Sequence, residues 1–293
     1  MKTRLVLLTT VLFALTTLGY GQVKSDTLLY EVETKDGNTY QGYLIEQDET
    51  YVILETQNIG RITLQRVDIK KMVEINSSQI KEDGKYWSDN PQATRYLWQP
   101  NGYGLKKGEA YYQNIWVFWN HVSFGLSDNF SMGFGIIPLF LFAGAPSPVW
   151  ITPRVSIPIV ENKFNLGGGA LIGTVLGAEQ AGFGITYGVA TIGSKDYNAS
   201  LGLGYGYAGG DWSSRPIITG SAMLRLSQKA YFITENYFLD EVILLSFGTR
   251  FILKKVGIDA SLIVPSETGG ETIFFPLLGL TIPFGNTQGN LSR

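Results

Sequence analysis

The sequence predicts an all-β chain in which about twelve antiparallel strands close into a membrane-spanning barrel, preceded by a small β-barrel domain. Periodicity is the first reason. Phe130, Met132, Phe134 and Ile136 alternate with Ser131, Gly133 and Gly135, and comparable runs recur between Ala93 and Phe284. Composition is the second. Hydrophobic residues make up 44% of the chain and charged residues 16%, against the roughly 25% charge usual in soluble domains. The third is that, beyond the N-terminus, no segment stays apolar for the ~20 residues that a membrane helix needs. Any crossing must therefore be made by strands.

The first residues have the plan of a cleaved export signal rather than a lasting anchor. Lys2 and Arg4 precede an apolar stretch from Leu5 to Leu18, and Gly19-Tyr20-Gly21 supplies the small-residue site, so residues 1–21 are assigned to the signal. The chain has no Cys, which excludes disulfides, thiol chemistry and a lipid-modified cysteine anchor. Two of the 23 basic residues lie in the signal, so the remainder is acidic against 25 Asp and Glu. With no basic patch, nucleic acid is not an expected partner.

Residues 27–75 form a block of short β runs separated by polar turns: Leu28 to Glu33, Tyr40 to Glu46, Tyr51 to Thr56, Arg61 to Gln65 and Ile69 to Ile75. The spacing Asp36-Gly37-x-x-Tyr40-x-Gly42 and the quick return through Val67-Asp68 resemble SH3-like or Sm-like barrels. That resemblance implies a small closed sheet. Its place after an export signal implies a periplasmic position, either docking a periplasmic protein or cell-wall partner or serving as a spacer. Residues 76–92 are polar and aperiodic, and read as a linker.

From Ala93 the expected barrel runs to Phe284, followed by a polar tail over 285–293. Tight turns fall at 127–129, 161–163, 193–195, 227–229 and 254–255, and longer connections near 99–109, 138–149, 175–181, 208–215, 239–241 and 265–272. Short turns at one end, longer loops at the other and both termini on the short-turn side give about twelve strands. The faces follow from parity. Leu166, Gly168, Ala170 and Ile172 are expected outside against Asn165, Gly167, Gly169 and Gly173. Phe183, Ile185, Tyr187 and Val189 are expected outside against Gly184, Thr186, Gly188 and Ala190. Tyr96, Trp98, Trp116, Phe118, Trp150, Phe274 and Phe275 are expected to form interfacial girdles. The connection from Pro138 to Trp150 is unusually apolar; wall extension is the default, with folding into the mouth or meeting an apolar ligand as alternatives.

The last strand carries a family resemblance. Leu278, Leu280, Ile282 and Phe284 share one face, opposite Leu277, Gly279, Thr281 and Pro283. An exported chain ending this way resembles the outer-membrane β-barrels of Gram-negative bacteria, and the Gly-aromatic strands with a small leading β-domain are similar to uncharacterised Bacteroidota barrels. The resemblance implies a cell outer-membrane location, contact with membrane lipid, and insertion by the barrel-assembly machinery with Phe284 as its signal.

Parity places Arg95, His121, Arg154, Arg225, Glu235, Arg250 and Asp259 inside, because a charge facing lipid near the midplane costs ~2–4 kcal/mol. Antiparallel pairing sets Arg250 opposite Asp259. Two functions fit this lumen: a salt-bridged plug in a structural or partner-docking barrel, or a narrow path for small polar or anionic solutes. A third, lipid hydrolysis, is suggested by His121 and Ser123, whose spacing resembles outer-membrane phospholipases. That family has Asn and a basic residue where this chain has Phe124 and Leu126, and its site faces lipid, whereas parity turns His121 and Ser123 inward. The expectation is therefore a non-enzymatic protein. A single His without Cys, and Gly at strand spacing rather than in a phosphate loop, give no reason to expect a metal or cofactor.

Overall fold

The computed structural model describes residues 28–56, 58–75, 87, 89–179, 182–240, 242–253, 255–267 and 274–285. The export signal, nearly all of the linker and the tail beyond Gly285 lie outside the described residues. The chain divides into two compact units, one holding the small β-domain and one the barrel.

The small domain is an antiparallel meander. Strands β1 (Leu29–Thr34), β2 (Thr39–Gln47), β3 (Tyr51–Thr56), β4 (Gly60–Gln65) and β5 (Ile69–Ile75) take the order β4-β3-β2-β1-β5. A single 3-10 turn, Arg66–Asp68, joins β4 to β5. Alternation drives Val32, Val52, Leu54 and Met72 into the core, with Tyr30, Leu44 and Ile62 packed on its edge. Asp48 shapes the β2–β3 turn: its Oδ1 accepts the backbone N–H groups of Thr50 (2.6 Å) and Tyr51 (2.9 Å). Those bonds favour the carboxylate, holding the Asp48 carboxyl below its ordinary range.

The second unit is a closed antiparallel barrel of twelve strands. They are β6 (Glu109–Ile115), β7 (Trp119–Gly125), β8 (Phe130–Ile136), β9 (Ser147–Val160), β10 (Phe164–Leu176), β11 (Phe183–Gly193), β12 (Tyr197–Ala208), β14 (Ile217–Arg225), β15 (Ala230–Phe238), β16 (Val242–Leu253), β17 (Val256–Glu267) and β18 (Phe275–Gly285). The two-residue β13 (Asp211–Trp212) only folds back on β12. Closure comes from β18 pairing with β6, from Glu109 opposite Gly285 to Ile115 opposite Gly279. Phe284 lies on this seam, edge-on to Phe124 at 5.9 Å. A closed barrel leaves no unpaired edge, which is what an apolar sheet requires in lipid.

The exterior suits hydrocarbon rather than water. Leu201 is 71% exposed, Leu278 62% and Phe134 54%. The outward positions of β8, β9, β10, β16 and β18 carry no charged residue. Short turns gather at one end, hereafter the turn end, and longer connections at the other, the loop end.

Three expectations need correction. The barrel wall begins at Glu109, not Ala93; residues 90–105 are not a wall strand but a buried segment that bonds to the barrel's inner face. The first loop-end connection is accordingly the tip 116–118, not 99–109. Strand β11 is inverted relative to the parity reading: Val189 (4% exposed) and Tyr187 face the lumen with Ile185 and Phe183, while Gly184, Thr186 and Gly188 face out. Space explains this. A Cβ on Gly169 would meet the Tyr187 ring and one on Gly173 the Phe183 ring, so the inward glycines of β10 make room for the inward aromatics of β11. Third, Tyr96 (0%) and Trp150 (3%) lie inside the barrel, Trp98 belongs to the inserted segment and lines the lumen cavity, and none of the three takes part in a girdle.

Candidate functional site: a lumen filled at one end and hollow at the other

Segment 90–105 forms a compact turn inside the barrel, closed by a bridge between Arg95 and Pro100 and by Tyr96 N–H donating to the Gln99 carbonyl (2.9 Å). It is neither helix nor ladder, so its backbone groups need partners from elsewhere. The barrel's inner face supplies them. Arg250 donates to the carbonyls of Gln92 (3.2 Å), Arg95 (3.4 Å) and Tyr96. Arg154 donates to those of Thr94 (3.0 Å), Asn101 and Tyr103. Gln113 donates to Leu97 O (2.9 Å), and Glu235 Oε2 accepts the N–H groups of Trp98 (2.9 Å) and Gln99 (3.0 Å). Thr191 Oγ1 accepts Gly102 N–H (2.7 Å). Gly102 lies so close to the wall that a Cβ there would overlap Asn165 O, which is why that position has no side chain.

The charges are arranged around this segment. Arg250 is fully buried and holds Asp259 through Nε–Oδ1 (2.6 Å) and Nη2–Oδ2 (3.0 Å), a bidentate pair. Asp259 also faces Arg95 Nη1 at 3.7 Å. Arg95 was expected on a wall strand; it belongs to the inserted segment, bonding Leu97 O (2.8 Å) and Thr281 and standing over the Tyr111 ring. Arg225 is inward but sits at the turn end. There it pairs with Asp196 (2.9 Å), donates to Gln228 O (2.9 Å) and lies over the Trp87 and Tyr231 rings. Apolar packing completes the turn half: Tyr96 and Leu97 join Met223, Tyr231, Ile233 and Ile252.

The loop half differs. A cavity of about 430 Å³ lies above the inserted segment, with Arg95, Arg154 and Glu235 among its lining groups. Its remaining walls are largely apolar, including Leu97, Ile185, Ile217, Leu244 and Leu277. One side is aromatic: Trp98 meets Trp119 edge-on at 4.6 Å, and Trp119 meets Trp150 at 3.9 Å.

His121 and Ser123 are both inward and buried, with His121 Nε2 and Ser123 Oγ 2.9 Å apart. The geometry fixes the proton. Trp150 Nε1–H, which can only donate, is aimed at His121 Nδ1 at 3.2 Å. Neutral His121 therefore carries its hydrogen on Nε2 and donates to Ser123. A general base would need the opposite tautomer.

At the loop rim, the apolar connection is a short helix α1 (Pro138–Phe142), with Phe142 85% exposed, joined through residues 143–146 to the wall residues of β9. The β6–β7 tip holds Trp116 (φ 52°) and Val117 (φ 68°) in the left-handed region, which costs such side chains about 1–3 kcal/mol each.

Among solved structures, a KdgM porin is similar at 8% identity and a TM-score of 0.45, over 59% of this chain and 97% of the porin. A loop-deleted OmpT of Vibrio cholerae is similar at 9% identity and a TM-score of 0.33, over 88% of this chain and 97% of OmpT. The trimeric form of OmpT gives 9% identity and 0.30 over 88% and 96%. No family model matches the chain. No curated protein matches it either.

The sequence singled out the inward charges but missed Gln99, Gln113, Thr191 and Thr281, whose polar groups bind the inserted segment or lie beside it. Parity had set Thr281 opposite the lipid face and could have placed Gln113 inside, but it would have put Thr191 outside with Val189; nothing local showed what they would bond.

Proposed function

We propose that this chain is a closed, non-enzymatic barrel of the bacterial outer membrane, sealed by residues 90–105 and serving a structural or partner-docking role. The observation that supports the reading is that Arg154, Arg250 and Glu235 direct their hydrogen bonds at the backbone of that segment. Under this reading the small β-domain, which we take as SH3-like and periplasmic, docks a protein or cell-wall partner. The His121 tautomer speaks against hydrolysis at Ser123. The experiment is reconstitution into planar bilayers. The expected outcome is an absence of stepwise conductance in the native protein; stable steps there would overturn the sealed reading.

A second reading is a gated channel for small polar or anionic solutes, like the pore that the name KdgM porin denotes. One observation favours it: withdrawal of segment 90–105 would bare Arg154 and Arg250 on the lumen wall, leaving a positive path. Arg154→Ala or Arg250→Ala would then produce steps that the native protein lacks.

A further inference from the structure

The wall of the barrel is not equally tall all round. Strands β6, β7 and β8 have 7 residues each, whereas β9 has 14 and β10 has 13. Tilted membrane strands need roughly 9–11 residues to cross. Against β18 the registers locate the shortfall at the loop end, whereas against β9 most of it falls at the turn end, where Ser156 to Val160 run past Phe130. The last β6 partner on β18 is Gly279, so Phe275 to Leu278 rise past the β6 ladder, paired with β17 on one side and met on the other by the tip through Trp116 N–H to Leu278 O (3.0 Å) and Trp116 Nε1–H to Pro276 O (2.6 Å). On the other flank, β8 pairs with β9 as high as Val149 and Ile137 N–H reaches Pro148 O (3.2 Å), leaving Ser147 above. Beside β18 the wall therefore has a notch, bounded below by the 116–118 tip.

The most exposed side chains at this notch are apolar, above the half-buried Asn114 and Asn120 whose amides bond the tip backbone. Val117 is 79% exposed and Phe118 45%, on a tip where water would favour polar residues and a positive φ would favour Gly or Asn. The helix α1 on the adjacent rim exposes Leu139, Phe140, Leu141 and Phe142. Behind the notch lie Leu277, Trp119 and Trp150, which line the cavity, together with Trp98, 37% exposed on the inserted segment. The cavity of about 430 Å³ falls within the range of small-molecule sites. An apolar hollow that met only water would gain nothing from an apolar doorway; one that meets lipid would.

We propose that the loop-half cavity binds a hydrocarbon chain that enters sideways from the membrane, over the β6–β7 tip. This rests on the lipid-facing exterior, not on whether the barrel conducts ions, so bilayer conductance and chain binding can fail independently. Trp98, Trp119 and Trp150 form the aromatic side of the site, and Ile217, Leu244 and Leu277 the aliphatic side. The polar groups of Glu235 and Arg95 and both Nη atoms of Arg154 are engaged with the inserted segment or the wall, while the Arg154 Nε is buried without a hydrogen-bond partner among the described residues. The shared ligand chemistry is the chain itself, whether from a free fatty acid or from a membrane lipid.

The test places the full-length protein in phosphatidylcholine nanodiscs with a long-chain fatty acid carrying a terminal diazirine. A parallel arm uses a phospholipid with the same group at the end of one acyl chain. After irradiation, adducts are mapped by mass spectrometry. Adducts on Leu244 and Ile217, besides the outward Leu278 and Ile282, are expected in at least one arm, and the arm that gives them identifies the source. Adducts confined to outward residues in both arms overturn the proposal. Ser246→Trp, which fills the cavity, should abolish the inner adducts and leave the outer ones, which also report a correctly inserted barrel. Val117→Asp, or the milder Val117→Ser, should depress the inner adducts by charging or wetting the doorway. Inner adducts unchanged in both tip variants would mean entry from the open end and would refute the lateral route.

Discussion

The two halves of the lumen solve the same problem in opposite ways. At the turn end, a length of irregular backbone fills the barrel, and buried Arg, Glu, Gln and Thr side chains satisfy its polar groups. At the loop end the filling stops and the walls become apolar and aromatic around a hollow. Both halves are lined by inward positions of a β-barrel, yet one is dense with hydrogen bonds and the other has few. A buried polar group is costly when unpaired. Polarity therefore accumulates where the inserted segment needs it and thins where little is there to be bonded.

This contrast can be broken most forcefully at Arg250. Replacing it by Ala takes the bidentate partner from Asp259, which among the described residues keeps only Arg95 at 3.7 Å, and one donor from each of three carbonyls. Breaking such a buried pair typically costs about 3–5 kcal/mol. Urea unfolding of the barrel in lipid should show that loss. A change under ~1 kcal/mol would mean the turn half is not held by its charges. Next comes Ile233→Ala in the apolar packing of the turn half, expected to cost about 2–5 kcal/mol. Its counterpart Leu244→Ala borders the existing hollow, has fewer neighbours to lose, and should cost clearly less in the same urea series. Equal losses would remove the distinction between filled and hollow halves.

Glu235→Gln is more delicate. The amide keeps one acceptor oxygen, so the cost should be about 1–3 kcal/mol, read as faster hydrogen exchange at the Trp98 and Gln99 amides. The smallest effect lies outside the barrel. Because the Asp48 carboxyl is held low, its contribution to the small domain is present above the unfolded-chain value of about 3.9 and is lost as pH falls through the lower folded value. Asp48→Asn should flatten the acid limb of the small domain's stability and leave the barrel's unchanged. A shift in barrel stability would show that the two units unfold together.

Much of the barrel was legible because lipid imposes a rule that each strand must obey alone. Leu278, Leu280, Ile282 and Phe284 had to face outward whatever their neighbours did, and the polar clusters at 127–129 and 161–163 could only be turns. The inward place of His121, Arg154, Glu235, Arg250 and Asp259 followed from the same rule. Arg250 opposite Asp259 needed only the adjacent hairpin.

Two failures show where that rule ends. Tyr96 and Trp98 alternate with Arg95 and Leu97 as a strand would, yet they lie in the inserted segment. The groups that stabilise it there, such as Arg250 and Glu235, are more than a hundred residues away in the chain. The β11 aromatics looked lipid-facing because one strand's pattern cannot show that glycines on the next strand leave room for them indoors. The sequence by itself determined a closed lipid-facing barrel with its charges inside, because hydrophobicity acts residue by residue. Only the tertiary structure decided what fills the barrel and where its wall is low. Backbone satisfaction, packing volume and strand register depend on partners brought together by closure.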